Sequence, residues 1–175
     1  MDNRLKRTPG LYLTGFMGSG KTTIGRLVAD RLGWDFIDLD TEIEAGEGAT
    51  IAQIFELRGE AEFRRLETGM LQKVMGKIAR VAPSVVALGG GTFAQPVNRD
   101  MLTGHGISVW LDCPLETIEE RIGEAGLRPL ARDAQQFRRL YAERRPAYEQ
   151  ADFRVDANCD VQQTVEAILQ LSCWK

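Results

Sequence analysis

The chain is short of several things, and each shortage closes a route. Among 175 residues there are three cysteines, Cys113, Cys159 and Cys173, widely spaced and without a C-x-x-C pair. That pattern supplies neither a disulfide framework nor a zinc site, and it leaves the thiols buried or incidental. The one histidine, His105, stands between Gly104 and Gly106 in an expected loop, and no catalytic role attaches to it. Positive charge is not in excess: the net charge is -3 and the pI is near 5.3, the wrong balance for a nucleic-acid surface. No apolar run approaches a membrane span, and Leu11-Tyr-Leu-Thr-Gly15 is too short for a signal-peptide core. The expected setting is the cytoplasm, with neither nucleic acid nor membrane as partner. No repeat, low-complexity tract or linker breaks the chain, so residues 1–175 are expected to fold as one domain with a sizeable core.

What remains is an alternation of short apolar runs and helical periodicity. Strands are expected at Gly10–Thr14, Asp35–Asp40, Ser84–Leu88, Ile107–Leu111 and Phe153–Asp156. The run Ser84-Val-Val-Ala-Leu88 is apolar without interruption, as in a strand covered on both faces. One helix follows from Thr22 to Leu32, with Ile24, Leu27, Val28 and Leu32 on a single face. A capping box at Thr50-Ile-Ala-Gln53 opens a second through Leu57, and Gly59 stops it. A longer helix turns Phe63, Leu66, Met70, Leu71, Val74 and Ile78 inward, and others are expected at Pro96–Leu102, Leu115–Ile122, Ala134–Arg145 and Val161–Leu171. Such alternation implies a three-layer α/β/α fold on a five-stranded parallel sheet, with ligands beyond the carboxyl ends of the strands.

Chemistry is densest after the first strand. Gly15-Phe-Met-Gly-Ser-Gly-Lys-Thr22 satisfies every fixed position of the G-x-x-x-x-G-K-[ST] loop, with a strand before it and a helix after it. Its glycines allow successive backbone N–H groups to curl around a polyphosphate, and the helix N-terminus adds partial positive charge. Lys21 is positioned for the β- and γ-phosphates and the Thr22 hydroxyl for magnesium. The chain is thus expected to bind a nucleoside triphosphate.

Other residues complete a site. Asp38 and Asp40 lie two apart at the end of the expected second strand, so both carboxylates would face one side; a solvated strand end followed by a helix cap is the alternative. One suits magnesium through a water, and the other a substrate hydroxyl. Arg64 and Glu67 are three apart on a helix and can pair; an exposed ion pair is the alternative. Gly89-Gly90-Gly91 follows an apolar strand, where the backbone entropy of three glycines points to a close approach. No aspartate ends that strand, so the metal role of a generic phosphate-loop NTPase passes to Asp38. Arg128 precedes a basic helix, where a mobile cover could bring charge to the phosphates.

Taken in order, Gly15–Thr22, Asp38-Leu-Asp40, Phe63-Arg-Arg-Leu-Glu67, Gly89–Gly91, Arg128-Pro-Leu130 and Arg144-Arg-Pro-Ala-Tyr148 resemble the shikimate kinase family, of the P-loop, nucleoside-monophosphate-kinase-like branch. The likeness runs from about Gly10 to Asn158. It implies transfer of the γ-phosphoryl of ATP to the 3-hydroxyl of shikimate, giving 3-phosphoshikimate on the route to chorismate and aromatic amino acids. By the family's pattern Gly18, Ser19, Gly20, Lys21, Thr22 and Thr23 hold the triphosphate, with Thr22 and Asp38 on magnesium. Asp40 binds ring hydroxyls beside the one attacked, Arg64 and Arg144 grip the carboxylate, and the backbone of Gly89, Gly90 and Gly91 meets the ring. Arg121 lies against adenine, and Arg128 arrives with a lid at about residues 123–135. Lys21, Asp40 and Arg128 would be the catalytic set, in a monomer. Two features depart from the family: the segment after Leu130 is short, and Cys159-Asp160 stands where a basic residue is common. A related metabolite kinase acting on gluconate, or a non-catalytic nucleotide-binding domain, are the competing readings.

Overall fold

Five short segments become strands, and the first three in sequence end where the site residues begin. In a computed structural model that describes residues 10–124 and 134–174 they are β1 (Gly10–Thr14), β2 (Asp35–Asp38), β3 (Ser84–Ala87), β4 (Ile107–Asp112) and β5 (Phe153–Asp156). The order across the sheet is β2-β3-β1-β4-β5, and every neighbouring pair is parallel. Strands β1, β3 and β4 are buried along their whole length, which is why they read as unbroken apolar runs. The chain leaving β1 runs to one edge of the sheet and the chain leaving β4 runs to the other. A crevice opens at such a divergence, beyond the strand ends.

The helices are α1 (Lys21–Leu32), α2 (Leu39–Glu47), α3 (Ile51–Arg80), α4 (Pro96–Leu102), α5 (Leu115–Glu124), α6 (Ala134–Tyr148) and α7 (Val161–Leu169), with a 3₁₀ turn at Ser172–Trp174. Helix α1 packs on β1, β2 and β3 and against α7. Gly25 lets it settle there, because a Cβ at that position would lie 2.6 Å from the Phe36 ring and 3.2 Å from Leu13. The capping box at the start of α3 forms in both directions, Thr50 N donating to Gln53 at 2.8 Å and Gln53 N to Thr50 at 3.2 Å. Gly59, at φ 81° and ψ 171°, breaks α3 into the two expected segments.

Helix α2 has no counterpart among the expected elements, and of the several element ends that differ from expectation two bear on the site. The second strand stops at Asp38, and Asp40 lies in the first turn of α2. Asp38 is the N-cap, its carboxylate accepting from Thr41 N at 3.3 Å, and acids at a helix start are favoured by its dipole. Local capping therefore outweighs the alternation that suggested a longer strand. Helix α6 runs past Arg145 to Tyr148 with Pro146 inside its last turn. The buried Tyr148 anchors that turn, which offsets the backbone donor Pro146 lacks. No helix among the described residues is long and apolar enough to cross a membrane.

Candidate active site

The phosphate loop joins β1 to α1. Gly18 and Gly20 hold φ of 78° and 93°, a backbone that favours glycine. Gly20 is the N-cap of α1 and offers no capping side chain, so the first N–H groups of the helix remain open to an anion. Helix α5 lies over the loop, with Ile118 and Ile122 3.2 Å from where a Cβ on Gly18 would stand. The Lys21 ammonium donates to the carbonyls of Gly15 and Phe16, at 2.9 Å each. Burial lowers its pKa to about 8, although Asp40 and Asp38 pull upward. Ser19 turns its hydroxyl inward, where it is buried without a hydrogen-bond partner, and its N–H donates to Phe16 O at 3.2 Å.

A cavity of about 300 Å³ opens beside the loop, lined by Lys21, Thr22, Thr23, Asp38, Asp40 and Gly90, with Gly18 and Gly20 at its rim. Thr22 Oγ1 donates to Asp38 Oδ2 at 2.7 Å, so the two expected magnesium groups converge despite the changed strand boundary. No cluster of three or more His, Cys, Asp or Glu with metal-binding geometry exists among the described residues. One hydroxyl and one carboxylate suit a hard cation that keeps its waters and shares phosphate oxygens, as magnesium does. The residues present fit that ion.

Across the cavity the groups are side chains brought from distant elements. Asp40 Oδ1 is buried and has no hydrogen-bond partner. Burial first, then Asp38 and Glu67, raise the Asp40 pKa to about 6, against the opposing pull of Lys21. Arg64 is largely buried and pairs with Glu67 at 2.9 Å and Glu60 at 3.2 Å. Glu67, only 1% exposed, also accepts from Thr92 Oγ1 at 2.6 Å. The alternative of an exposed ion pair is thereby ruled out: this pair is a buried fixture that aims a guanidinium. Arg64 also rests over the Phe63 ring at 5.3 Å. Arg144, from α6, lies over the Phe16 ring at 5.8 Å; among the described residues no carboxylate pairs with it.

The glycine loop after β3 is wedged between these groups. A Cβ on Gly89 would lie 2.6 Å from Asp40 Oδ1, one on Gly91 2.8 Å from Cζ of Arg64, and one on Gly90 3.4 Å from the Arg144 guanidinium and from Met17 N. None of the three has a positive φ. They are glycines for space, and the expected close approach is to Asp40, Arg64 and Arg144 in turn. Among the described residues the N–H groups of Gly90 and Gly91 donate to no protein acceptor.

The structure thus gathers Lys21, Thr22, Thr23, Asp38, Asp40, Arg64, Arg144 and the three glycines. It sets Arg121 apart on α5, where its guanidinium donates to Ala157 O at 3.1 Å and to Cys113 Sγ at 3.5 Å. Arg128 and most of the expected lid lie outside the described residues. Three participants carry no assigned role in the sequence reading: Thr92, which holds Glu67; Phe16, which carries Arg144; and Tyr148, which donates to Gly90 O at 2.5 Å. The signals for Tyr148 are its place in the motif Arg144-Arg-Pro-Ala-Tyr148 and its spacing of four from Arg144, on the same helix face.

Fold and site together define a kinase of the phosphate-loop class. The family model for shikimate kinase matches residues 17–172, and the chain belongs to the shikimate kinase family. A shikimate kinase of Persephonella marina is 42% identical over 83% of this chain and 87% of its own length. The solved shikimate kinase of Acinetobacter baumannii in complex with shikimate superposes with a TM-score of 0.86 at 38% identity, covering 97% of this chain and 96% of that one. A gluconokinase structure from Sinorhizobium meliloti, at 19% identity and a TM-score of 0.53, shares the fold alone.

Proposed function

We infer that the chain is an ATP-dependent shikimate 3-kinase, transferring the γ-phosphoryl of ATP to the 3-hydroxyl of shikimate. The observation that carries the acceptor side is the buried, unpartnered Asp40 Oδ1. A buried carboxylate oxygen without a donor is costly, and a ligand hydroxyl supplies one. In this reading Arg64 and Arg144 take the ring carboxylate, the planar guanidinium of each matching its two oxygens. Gly90 and Gly91 N–H groups meet ring oxygens, with Gly89 leaving room for Asp40. Lys21, the loop N–H groups and the start of α1 hold the triphosphate. Thr22 would hold magnesium, with Asp38 beside it reaching the ion through a water. The ion, when bound, neutralises charge on the β- and γ-phosphates.

Phosphoryl transfer has a loose transition state, so positioning and charge neutralisation do most of the work. Asp40, with its pKa near 6, is mainly ionised at neutral pH, orients the attacking hydroxyl and takes its proton as the bond to phosphorus forms. Arg121 as adenine wall, Arg128 as lid cation, a monomeric state and a cytoplasmic setting belong to the same reading. A coupled ADP-release assay with shikimate and gluconate in parallel tests it. ADP should appear with shikimate alone. Turnover with gluconate, or ATP binding without turnover of either acid, would replace the reading with one of its two rivals.

A further inference from the structure

The phosphate-site and acceptor-site residues above leave one buried polar side chain of α6 without a task. Tyr148 is 2% exposed. Its hydroxyl donates to Gly90 O at 2.5 Å, across 58 residues of sequence, and Arg144 stands one helical turn earlier on the same helix. Its ring leans on Trp110 of β4, with centroids 6.2 Å apart and planes inclined by 32°. Trp110 in turn lies under the guanidiniums of Arg145 at 4.9 Å and Arg154 at 5.2 Å, both paired with Asp112. The ring is therefore gripped from the sheet side while the hydroxyl reaches into the glycine loop.

Gly90 is where three parts of the site meet: a Cβ there would stand 3.4 Å from Arg144, 3.4 Å from Met17 N and 3.9 Å from Gly15 O. With no side chain, nothing of its own fixes its peptide planes. The carbonyl that Tyr148 holds belongs to the peptide joining Gly90 to Gly91. In a trans peptide the N–H points opposite to the C=O, so fixing that carbonyl also fixes the direction of the Gly91 N–H. The Arg144 guanidinium lies against Gly90, 3.4 Å from where a Cβ would stand.

We propose that Tyr148 is a positioning residue of the acceptor site, whose hydroxyl locks the Gly90–Gly91 peptide beside the Arg144 guanidinium. It touches no substrate. It acts by preorganising a peptide N–H that would otherwise be ordered at the moment of binding. Burial raises its pKa to about 12, so the hydroxyl keeps its proton, and the donor role, throughout the working pH range.

This rests on shikimate as the acceptor, and the test separates the two claims. If the wild-type chain does not phosphorylate shikimate, the functional reading fails before Tyr148 is at issue. If it does, Tyr148→Phe keeps the ring and removes the hydroxyl. The expected result is a rise of about tenfold in shikimate KM, the size of one well-placed hydrogen bond, with ATP KM within twofold of wild type. Trp110→Phe serves as the control, since it loosens the ring's support without touching the hydroxyl. It should lower Tm and leave shikimate KM unchanged. Replacing Tyr148 with 4-aminophenylalanine, which restores a donor at the same place, should recover most of the lost affinity. It also carries the test should Tyr148→Phe fail to fold: its shikimate KM should then lie a few-fold above wild type, with ATP KM unmoved. The proposal is overturned by an unchanged shikimate KM in a folded hydroxyl-free variant, by equal rises in both KM values, or by Trp110→Phe matching its effect.

Discussion

The two sides of the cavity are made of different materials. The phosphate side is one contiguous stretch, Gly15–Thr22, whose binding atoms are backbone N–H groups and whose lysine and hydroxyl follow directly in sequence. The acceptor side draws Asp40 from α2, Arg64 and Glu67 from α3, the glycines from the end of β3 and Arg144 from α6. A backbone-built site tolerates change in side chains and recognises any triphosphate. A side-chain-built site can be tuned to one acceptor, and it needs a further tier of residues to hold its charges. Glu67 with Thr92 for Arg64, and Phe16 for Arg144, are that tier. On the proposed reading specificity therefore resides on the acceptor side, and mutations there should separate acceptor from nucleotide kinetics.

The sharpest separation is expected at Asp40. Asp40→Asn keeps shape and burial but cannot take the hydroxyl proton, so kcat should fall about 10²–10⁴-fold with ATP affinity, read by calorimetry, unaltered. Parallel losses in kcat and ATP affinity would mean that Asp40 serves the phosphate side, and the division drawn above would fail.

The arginines come next and sharpen the comparison from within. Removing either guanidinium should raise shikimate KM roughly 10–100-fold, the range for a charge-assisted hydrogen bond of about 1.5–3 kcal/mol. Stability should divide them. Arg64→Ala strands the buried Glu67, and leaving such a charge uncompensated costs about 3–5 kcal/mol. Arg144 has no carboxylate partner among the described residues, so Arg144→Ala should change Tm little. Thermal melts of the two variants side by side check this; equal Tm losses would show that Glu67 is not held by Arg64.

Two glycine substitutions extend the contrast at smaller scale. Gly91→Ala drives a methyl against the Arg64 guanidinium, 2.7 Å from its Nη2. A misaimed guanidinium should raise shikimate KM about tenfold and spare ATP KM. Gly25→Ala places a methyl against Phe36 under α1, far from the acceptor, where overpacking costs about 1–3 kcal/mol. It should lower Tm and leave both KM values alone. Exchanged outcomes would mean that Gly91 is needed for folding and Gly25 for the site.

How much of this was legible in the sequence follows the same division. The phosphate loop could be read outright, because every group it uses lies within eight residues and the flanking strand and helix are local features. On the acceptor side the residue types could be read but not their burial. Arg64 and Glu67 at i,i+3 spacing allow an exposed pair as readily as a buried one, and only the packing of Gly91 and Thr92 against them decides. The glycine run announced a close approach without saying to what. The Asp38–Asp40 segment was misjudged, since period-2 alternation and an N-cap compete over the same four residues and the cap prevails. Tyr148 stands in a legible motif, but its role is not legible because its partner is 58 residues away. The five strand cores and every helix but α2 are legible from apolar runs and periodicity; α2, whose buried apolar residues are only Leu39 and Ile43, and ends governed by single capping or tertiary contacts, at Asp38 and Pro146, are not.

The weakest effect is also the one that opposes activity to stability. The Asp40 pKa rises from its ordinary 3.8 to about 6 in the folded chain, chiefly through burial. The unfolded chain releases this proton first as pH increases, so unfolding between about pH 4 and 6 is accompanied by proton release, and stability falls as pH rises through that window. Above it the native state carries an ionised carboxylate in an unfavourable place, at a cost on the order of 1–3 kcal/mol. Asp40→Asn removes the charge and should raise Tm at pH 7.5, by roughly 2–4 °C per kcal/mol recovered in a chain of this size, with the difference from wild type vanishing below about pH 4. Activity should run the other way, wild-type kcat declining below about pH 6 as Asp40 gains the proton it must be free to accept. A Tm at pH 7.5 that is unchanged or lower in Asp40→Asn would show that the carboxylate is at ease where it sits. The acceptor side would then have lost the strained group that distinguishes it from the phosphate loop.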